Sequence, residues 1–417
     1  MKRTIFKSLP FQLLIAAVVA WGIVQILPIS SEFVQSSWFQ LIMMFKTTYI
    51  GLLKMVVGAV VLLSLLQGIT SIGSTVKLKS LGAKTIAFYS LTSILAISLG
   101  LGVSLSLPPW PQLIDPNTVA LGSNVTLIDS SSSSGGAIVE KLFKMALVNP
   151  FQALATTNLL GIVVFALLFG IALLATLPEK HPVFEVINGL NHSLNRLVSA
   201  IIKLAPLAVF AIVFEFTLKS GNALFGELAR FALLVFTLTL IHGVIVLPSI
   251  AKLATGISFK KLFRALSAPM AMAFATSSSS ATLPLSMQTA ENELDISQST
   301  SSMVLPLGSI MNMDGTALFE GVATIFLAQL YGIDLGTTGL IMIFIMAMVS
   351  SIGAPGMPSG SMSGMQLVML AAGIPLEAIA ILLLIERPLD TFRTAVNVEG
   401  DLIAALVVDK WQNKTSA

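Results

Sequence analysis

Long apolar segments alternate with short polar ones along the first two thirds of the chain. A helix needs about 20 apolar residues to cross the roughly 30 Å hydrocarbon core of a bilayer, and six uninterrupted segments approach or exceed that length. They cover residues 11–29, 49–69, 85–107, 151–177, 194–218 and 229–253. The pattern therefore predicts six plain transmembrane helices.

Two later apolar segments are interrupted near their middle by small and polar residues. The first, residues 264–291, contains four consecutive serines at 277–280, and the second, residues 336–373, contains SSIGAPGMPSGSMSG. Each arm of the first has about 11 residues, which as a helix extends about 16 Å and reaches only halfway across a bilayer. The pattern predicts two re-entrant helical hairpins, the first inserted from the cytoplasmic side and the second from outside.

A long helix with polar interruptions follows each hairpin, at residues 301–331 and 375–410. The unit of hairpin plus helix thus occurs twice in opposite senses, which is typical of the inverted repeats that enclose a transporter's binding site. The predicted fold class is an all-α polytopic membrane protein.

Short basic loops indicate the orientation of the helices. The basic residues cluster before the first span, between the second and third, and after the sixth: Lys2, Arg3, Lys7; Lys77, Lys79, Lys84; Lys252, Lys260, Lys261 and Arg264. Alternating spans put all three clusters on one side, which predicts cytoplasmic termini. The N-terminus is alternatively a signal peptide, although its length favours an uncleaved helix. The Ser- and Gly-rich residues 129–136 are predicted to form a flexible external loop.

Composition agrees with a membrane protein. Of the 417 residues, 55% are hydrophobic and 10% are charged, against roughly 25% charged in an ordinary soluble domain. The net charge is +3, but the basic residues lie in short loops, which favours the lipid bilayer over nucleic acid as the partner. The sequence has no Cys, so disulfide and thiolate chemistry are excluded.

The final helix is predicted to carry one polar face. At 100° per residue from Asp390, only Glu399 among its central charges lies opposite that face. The residues on the face are Glu386, Arg387, Asp390, Arg393, Thr394, Asn397 and Asp401. Each charge facing lipid would cost about 2.5–3.5 kcal/mol, so the face is expected to contact protein, water or a ligand. An acidic zwitterionic solute would fit this face. Asp390 would bind its ammonium group, Arg393 would bind a carboxylate and Thr394 would add a hydroxyl contact. Alternatively, Asp390 and Arg393 form a buried ion pair that only joins helices.

The segment at residues 305–326, LPLGSIMNMDGTALFEGVATIF, is predicted to be a broken helix. Gly308 and Gly315 weaken it, while Asn312 and Asp314 in apolar surroundings indicate unwinding around a cation such as Na⁺. Asn397 and Asp401 from the final helix would complete the site. Alternatively, the segment is a kinked helix whose polar groups are satisfied locally.

Glu320 is a candidate proton carrier, because its apolar surroundings disfavour a permanent charge. The alternative is a carboxylate paired with Arg387 or another cation. His181, His192 and His242 have no metal-ligand spacing and are expected in loops or at packing positions.

Four motifs resemble one transporter family. They are SSSSATLP at 277–284, NMDGTALFE at 312–320, SIGAPGMP at 351–358 and DTFRTAVNVEGD at 390–401. The chain resembles, over nearly its whole length, the dicarboxylate/amino acid:cation symporter family, which contains the glutamate transporters and their prokaryotic homologues. The resemblance implies eight transmembrane helices, two re-entrant hairpins with inverted repeats, a homotrimer and an elevator motion of a transport domain against a scaffold.

The resemblance also implies a substrate site built from the two hairpin tips, the broken helix and the final helix. Its residues would be Ser278, Ser279, Thr316, Gly356, Pro358, Ser359, Asp390, Arg393, Thr394 and Asn397. Arg393 matters most, because family members that carry neutral amino acids generally lack this arginine. In having this arginine, the chain resembles the family members that carry acidic amino acids.

Coupling sites for Na⁺ follow from the same resemblance. One site would use the Gly308 carbonyl with Asn312, Asn397 and Asp401, and another would use Tyr89, Thr92, Ser93, Asn312 and Asp314. A weaker third site would use Ile310, Ser351, Ile352 and Ala354, since Ile310 and Ala354 stand where threonines often flank the ion. Glu320 matches the glutamate of proton-coupled members.

One further position departs from the family. Ser277 and Thr391 stand where a second arginine is usually found, in the first hairpin tip or the last helix. The change bears on how substrate would be released.

The implied organisation divides scaffold from transport segments. Scaffold helices one and two occupy residues 1–80, the third helix and the external loop 81–142, scaffold helices four and five 143–220, the sixth helix 221–258, the transport core with both hairpins 259–410, and a cytoplasmic tail 411–417.

The favoured function is uptake of L-aspartate or L-glutamate across the inner cell membrane with Na⁺ and with H⁺ as a candidate second ion, without an organic cofactor. The alternative within transport is a neutral amino acid or a C4-dicarboxylate. A serine hydrolase would use the serine runs, but the chain has no G-x-S-x-G motif, so an enzyme is not predicted. The inverted hairpins disfavour a passive channel.

Overall fold

The structure is a computed structural model that describes residues 9–26, 31–70, 81–114, 140, 143–144, 146–156, 158–220, 223–353, 361–375 and 378–416. Helices are the only regular secondary structure of its described part, which has no β-strand, as predicted for the fold class. The helices are α1 (Leu9–Ile26), α2 (Ser31–Val34), α3 (Ser37–Thr70), α4 (Ala83–Ser106), α5 (Pro150–Ala155), α6 (Leu159–Thr176), α7 (Pro182–Ile202), α8 (Ala205–Ser220), α9 (Ala223–Ile241), α10 (Leu247–Thr255), α11 (Phe259–Thr276), α12 (Ser279–Asn292), α13 (Gln298–Met311), α14 (Asp314–Leu330), α15 (Gly336–Gly353), α16 (Ser361–Ala371) and α17 (Ile379–Ser416). A π-helical segment, His242–Val246, joins α9 to α10.

Three described helices could cross a bilayer by length and composition: Ser37–Thr70, Ala83–Ser106 and the continuous run Ala223–Thr255. A fourth is formed if the bent pair Pro182–Ile202 and Ala205–Leu218 counts as one span. The helices Phe11–Ile26, Leu160–Thr176 and Gly336–Ser351 are apolar but shorter. The total of eight transmembrane helices, the elevator fold and the division into scaffold and transport segments therefore stay predictions.

Two predicted spans are not single helices. The span at residues 151–177 is divided into α5 and α6, because Asn158 caps the second helix by accepting a hydrogen bond from the Gly161 N–H at 3.2 Å. The span at 194–218 bends by 44° between α7 and α8. Pro206 lies in the first turn of α8 and has no N–H to donate to the preceding helix, so it favours a break there.

Helix α3 is longer than the predicted span, since it begins at Ser37 rather than at residue 49. The added turns contain Lys46, which interrupts the apolar pattern. Its Nζ lies 2.6 Å from Glu215 Oε2 on α8, so the charge is paired rather than left facing lipid.

The first predicted hairpin is present as α11 and α12, which pack together and turn at Ser277 and Ser278. Ser277 takes a left-handed conformation with φ of 49°. The arms have 18 and 14 residues, more than the predicted 11, because polar turns extend each arm beyond its apolar part. The second hairpin corresponds to α15 and α16, and its tip at 354–360 lies outside the described residues, as do the external loop at 129–136 and the basic residues Lys2, Arg3, Lys7, Lys77 and Lys79.

The final helix α17 lies at the centre of this arrangement. It contacts both arms of the first hairpin, the broken pair α13 and α14, the second-hairpin helix α16, the helices α4 and α9, and the π-helical segment. Its predicted polar face is therefore enclosed by protein. Arg393 on this face is completely buried.

Candidate substrate and cation site

The predicted break in the seventh span is confirmed. Helix α13 ends where the Asn312 N–H donates to the Gly308 carbonyl at 2.9 Å, and α14 begins at Asp314. Asn312 (φ −116°, ψ 82°) and Met313 (φ −114°, ψ 49°) have left the helical conformation. Asn312 and Asp314 are both buried. The break thus brings an amide and a carboxylate into the protein interior, as the sequence indicated.

The first predicted cation group converges on this break. Asn312 Nδ2 lies 2.9 Å from Asp401 Oδ1 and 3.5 Å from the Asn397 carbonyl. Gly308 packs so closely that a Cβ there would collide with the Asp401 carboxylate. The Asn312 Oδ1 accepts no hydrogen bond from the described residues. An amide oxygen, a carboxylate and carbonyls therefore face one another, and hard cations favour such oxygen ligands.

The second predicted group surrounds Asp314. Ser93 Oγ donates to Asp314 Oδ1 at 2.7 Å. The other two predicted ligands on α4 donate to backbone oxygens: Tyr89 Oη to the Val304 carbonyl at 2.9 Å and Thr92 Oγ1 to the Tyr89 carbonyl at 3.2 Å. All of these side chains are buried. The structure thus joins Ser93 directly to Asp314, while Tyr89 and Thr92 line the same helix face.

The third predicted group is only partly described. Ser351 Oγ lies 3.0 Å from Ser93 Oγ and accepts a hydrogen bond from the Met313 N–H at 3.2 Å, so it adjoins the second group. Ile310 packs toward Gly68 of α3. Ala354 and the side chain of Ile352 lie outside the described residues.

Arg393 is surrounded by polar groups of the chain itself. Its Nη2 donates to Ser361 Oγ at 3.1 Å, Glu386 Oε1 at 3.2 Å and Asp390 Oδ1 at 3.2 Å. Its guanidinium carbon lies 3.9 Å from the centre of the Phe319 ring, a cation–π contact. Its Nε and Nη1 have no hydrogen-bond partner among the described residues. The ion pair between Asp390 and Arg393 is therefore present, yet two guanidinium nitrogens have no hydrogen-bond partner in the part of the chain that the structure describes.

The remaining predicted substrate residues of α14 and α17 connect to the cation groups. Asn397 Oδ1 accepts from the Gly315 N–H at 2.8 Å, and Asn397 Nδ2 lies 3.3 Å from Thr316 Oγ1. Thr394 Oγ1 donates to the Asp390 carbonyl at 2.7 Å. Asn397 thus belongs to both predicted sites and links them.

At the first hairpin tip, a serine caps the second arm of the hairpin. Ser278 caps α12 by accepting a hydrogen bond from the Ala281 N–H at 3.2 Å, and Ser278 and Ser279 are buried. The second tip, with Gly356, Pro358 and Ser359, lies outside the described residues.

Glu320 is completely buried, and neither carboxylate oxygen has a hydrogen-bond partner among the described residues. It forms no ion pair with Arg387, whose Nη1 instead lies 3.6 Å from Asp390 Oδ2. The pairing of Glu320 with Arg387 is therefore wrong, whereas a pairing with another cation stays a prediction.

Sequence reasoning missed two partners of the site. Glu386 was placed on the polar face but not assigned to Arg393, although the two lie seven residues apart on one helix face. His242 was expected at a packing position, but its Nε2 lies 3.3 Å from Asp314 Oδ2 in the buried interior. The sequence feature that could have indicated this contact is a lone histidine within an apolar span. Glu399, predicted opposite the polar face, indeed faces Gly243 of the π-helical segment.

Chemically, the site combines oxygen-rich groups for small cations with an arginine suited to a carboxylate. Asp390 adds an acceptor suited to an ammonium group. Among the described residues, no cluster of three or more His, Asp or Glu side chains could hold a transition metal.

Comparison with known proteins agrees with this chemistry. The family model "Sodium:dicarboxylate symporter family" matches residues 9–411. The Proton/glutamate-aspartate symporter of Escherichia coli (strain K12) is 32% identical over 88% of this chain and 84% of its own length. The Proton/sodium-glutamate symport protein of Bacillus caldotenax is 30% identical over 88% of this chain and 86% of its own length.

The Neutral amino acid transporter B(0) of Oryctolagus cuniculus is also similar, at 32% identity over 87% of this chain and 72% of its own length. The members of this family are transporters rather than enzymes. The chain belongs to the sodium:dicarboxylate symporter family.

Proposed function

We propose that this chain is a secondary active symporter that takes up an acidic amino acid, L-aspartate or L-glutamate, together with Na⁺. The observation that carries the proposal is the buried Arg393, which keeps Nε and Nη1 without a partner among the described residues. A buried arginine with unmet donors is costly unless a ligand supplies acceptors. The side-chain carboxylate of an acidic amino acid would supply them.

The charges around Arg393 favour an amino acid over a dicarboxylate. Glu386 and Asp390 both lie 3.2 Å from its Nη2. A C4-dicarboxylate would bring a second carboxylate next to Asp390, where like charges repel. The ammonium of an amino acid would instead be attracted to Asp390. Thr394, Asn397, Thr316 and the two hairpin tips are proposed to complete the substrate site.

A neutral amino acid is the second candidate, because a neutral amino acid transporter is among the similar proteins. Such a substrate has no side-chain carboxylate and would leave the unmet nitrogens of Arg393 without an anionic partner. The acidic substrate is therefore preferred.

Na⁺ is the proposed coupling ion. The group of Gly308, Asn312, Asn397 and Asp401 and the group around Asp314 offer buried oxygen ligands. Asn397 contacts both the first cation group and Thr316, so an ion bound there would help to orient the substrate residues. Glu320 is proposed as a carrier of H⁺, since it is buried and unpaired among the described residues.

The proposed mechanism is an elevator motion within a homotrimer in the inner cell membrane, with both termini in the cytoplasm. The resemblance to the family supports these features of the proposal. The enclosure of α17 by both hairpins and the broken helix supports a compact transport unit.

Uptake of radiolabelled amino acids into liposomes with imposed Na⁺ or H⁺ gradients tests the proposal. Wild type should accumulate aspartate or glutamate against its gradient. Arg393→Ala should lose most acidic substrate uptake and keep or gain uptake of a neutral amino acid, because the carboxylate partner is gone. Arg264→Ala, which removes an exposed arginine of the first hairpin, is the matched control and should behave as wild type. Equal aspartate uptake by Arg393→Ala and wild type would rule out the assigned role.

A further inference from the structure

His242 contacts the second cation group from a helix that the other proposed ligands do not use. It is the first residue of the π-helical segment and is completely buried. Its Nε2 lies 3.3 Å from Asp314 Oδ2, while Oδ1 of the same carboxylate accepts from Ser93 at 2.7 Å. Each oxygen of Asp314 is thus held by a different helix.

The π-helical segment places His242 there for a reason visible in the sequence. Pro248 has no N–H, and in a regular α-helix its ring would clash with the Val244 carbonyl. The helix widens just before this proline, so that the Leu247 N–H donates to the His242 carbonyl, five residues earlier. Single π-turns of this kind occur frequently at functional sites.

The next residue, Gly243, lets α17 pack directly on the segment. A Cβ at Gly243 would lie 2.7 Å from Val396 Cγ2 and 3.1 Å from Glu399 Oε2, which is too close for an ordinary side chain. The backbone that carries His242 is therefore fixed against the helix that carries Asn397 and Asp401. An imidazole on so fixed a backbone has little freedom to leave Asp314.

We propose that His242 is a positioning residue for a Na⁺ site at Asp314. With a proton on Nε2, the imidazole donates to Asp314 Oδ2 and so fixes the carboxylate in the orientation that binds the ion. This inference rests on the proposed Na⁺ coupling and adds a residue from the sixth span to it. Partners that orient a metal ligand contribute about 10–100-fold to ion affinity.

A matched pair of variants distinguishes the effect of the hydrogen bond that His242 donates from the effect of its side-chain packing. Glutamine can place an amide N–H close to the position of Nε2, whereas methionine has a similar volume and no donor. His242→Met should raise the half-saturating Na⁺ concentration about tenfold, or about 1.4 kcal/mol, with little change in maximal aspartate uptake at saturating Na⁺. His242→Gln should restore most of the Na⁺ affinity. If His242→Met does not reach the membrane folded, His242→Phe supplies a ring without a donor.

The control is Thr239→Val, one turn earlier, because the Thr239 hydroxyl has no hydrogen-bond partner in the described part of the chain. It should keep wild-type Na⁺ dependence. Wild-type Na⁺ dependence in His242→Met, or equal losses in His242→Met, His242→Gln and Thr239→Val, would overturn the positioning role. If aspartate uptake by the wild type does not depend on Na⁺, both the proposed function and this inference are refuted.

Discussion

Gly308→Ala is the most direct steric test of the cation group at the broken helix. Gly308 lies in the last turns of α13, where an alanine Cβ would collide with the Asp401 carboxylate and would lie 2.5 Å from Tyr89 Oη and 2.8 Å from Asp401 Cγ. Ordinary contacts of such atoms are about 3.4 Å or longer, so Asp401 must move by roughly 1 Å. That displacement separates Asp401 from Asn312.

Two opposing effects determine how much Gly308→Ala changes the stability of the protein. Alanine in a helix is favoured over glycine by about 1 kcal/mol, whereas overpacking of a filled interior costs about 1–3 kcal/mol. The net change in stability should therefore be small or moderately unfavourable. Ion binding should suffer more, because displaced ligands no longer match the cation, and we expect the half-saturating Na⁺ concentration to rise at least about tenfold.

The assay is aspartate uptake into liposomes as a function of Na⁺, together with the Na⁺-dependent rise of the melting temperature. Gly102→Ala is the control, since Gly102 lies in α4 and a Cβ there would have no neighbour within 4 Å. It should leave Na⁺ dependence unchanged. If Gly308→Ala folds and binds Na⁺ with the affinity of Gly102→Ala, the close packing at Gly308 has no part in cation binding.

Three further changes test other parts of the molecule. Glu320→Gln should flatten the dependence of uptake on external pH, because an amide cannot carry a proton; an unchanged pH profile contradicts the carrier role. Lys46→Met should lower the free energy of unfolding, measured by thermal unfolding, by about 1–3 kcal/mol because Glu215 loses one of its partners; adding E215L should recover most of it. Glu386→Gln should lower the half-saturating aspartate concentration about threefold, or about 0.6 kcal/mol, because one competitor for Arg393 is lost; weaker binding argues that Glu386 orients Arg393 instead.

The break at Asn312 and the polar face of α17 were predictable because each depends on a local cost. A carboxylate or a guanidinium in an apolar span needs a partner whatever the rest of the fold does. The sequence spacing alone then puts Asp390, Arg393, Thr394 and Asn397 on one face. The serine tip at Ser277 and Ser278 was predictable because a run of four serines interrupts an apolar segment near its middle.

The partners across helices were not predictable in this way. The contact of His242 with Asp314 joins residues 72 positions apart, and it depends on a π-turn that leaves no periodic pattern. The breaks near Asn158 and Pro206 were missed because two or three residues do not interrupt an apolar average over about 20. The start of α3 was missed because the charge of Lys46 is offset by Glu215, far away in sequence.

The π-helical segment also sets the register between α9 and α10. A π-turn contains about one residue more than an α-helical turn, so the two helices are out of phase by about 100° relative to one uninterrupted α-helix. Deleting one residue within His242–Val246 would remove this offset, although Pro248 would then clash with the carbonyl four residues earlier. It would also rotate one half of the span against the other, so that either the imidazole or the surface of α10 that packs on α17 would turn away. Sequence length at this point therefore matters as much as residue identity, and a deletion here should be far more damaging than most single substitutions in the same helix.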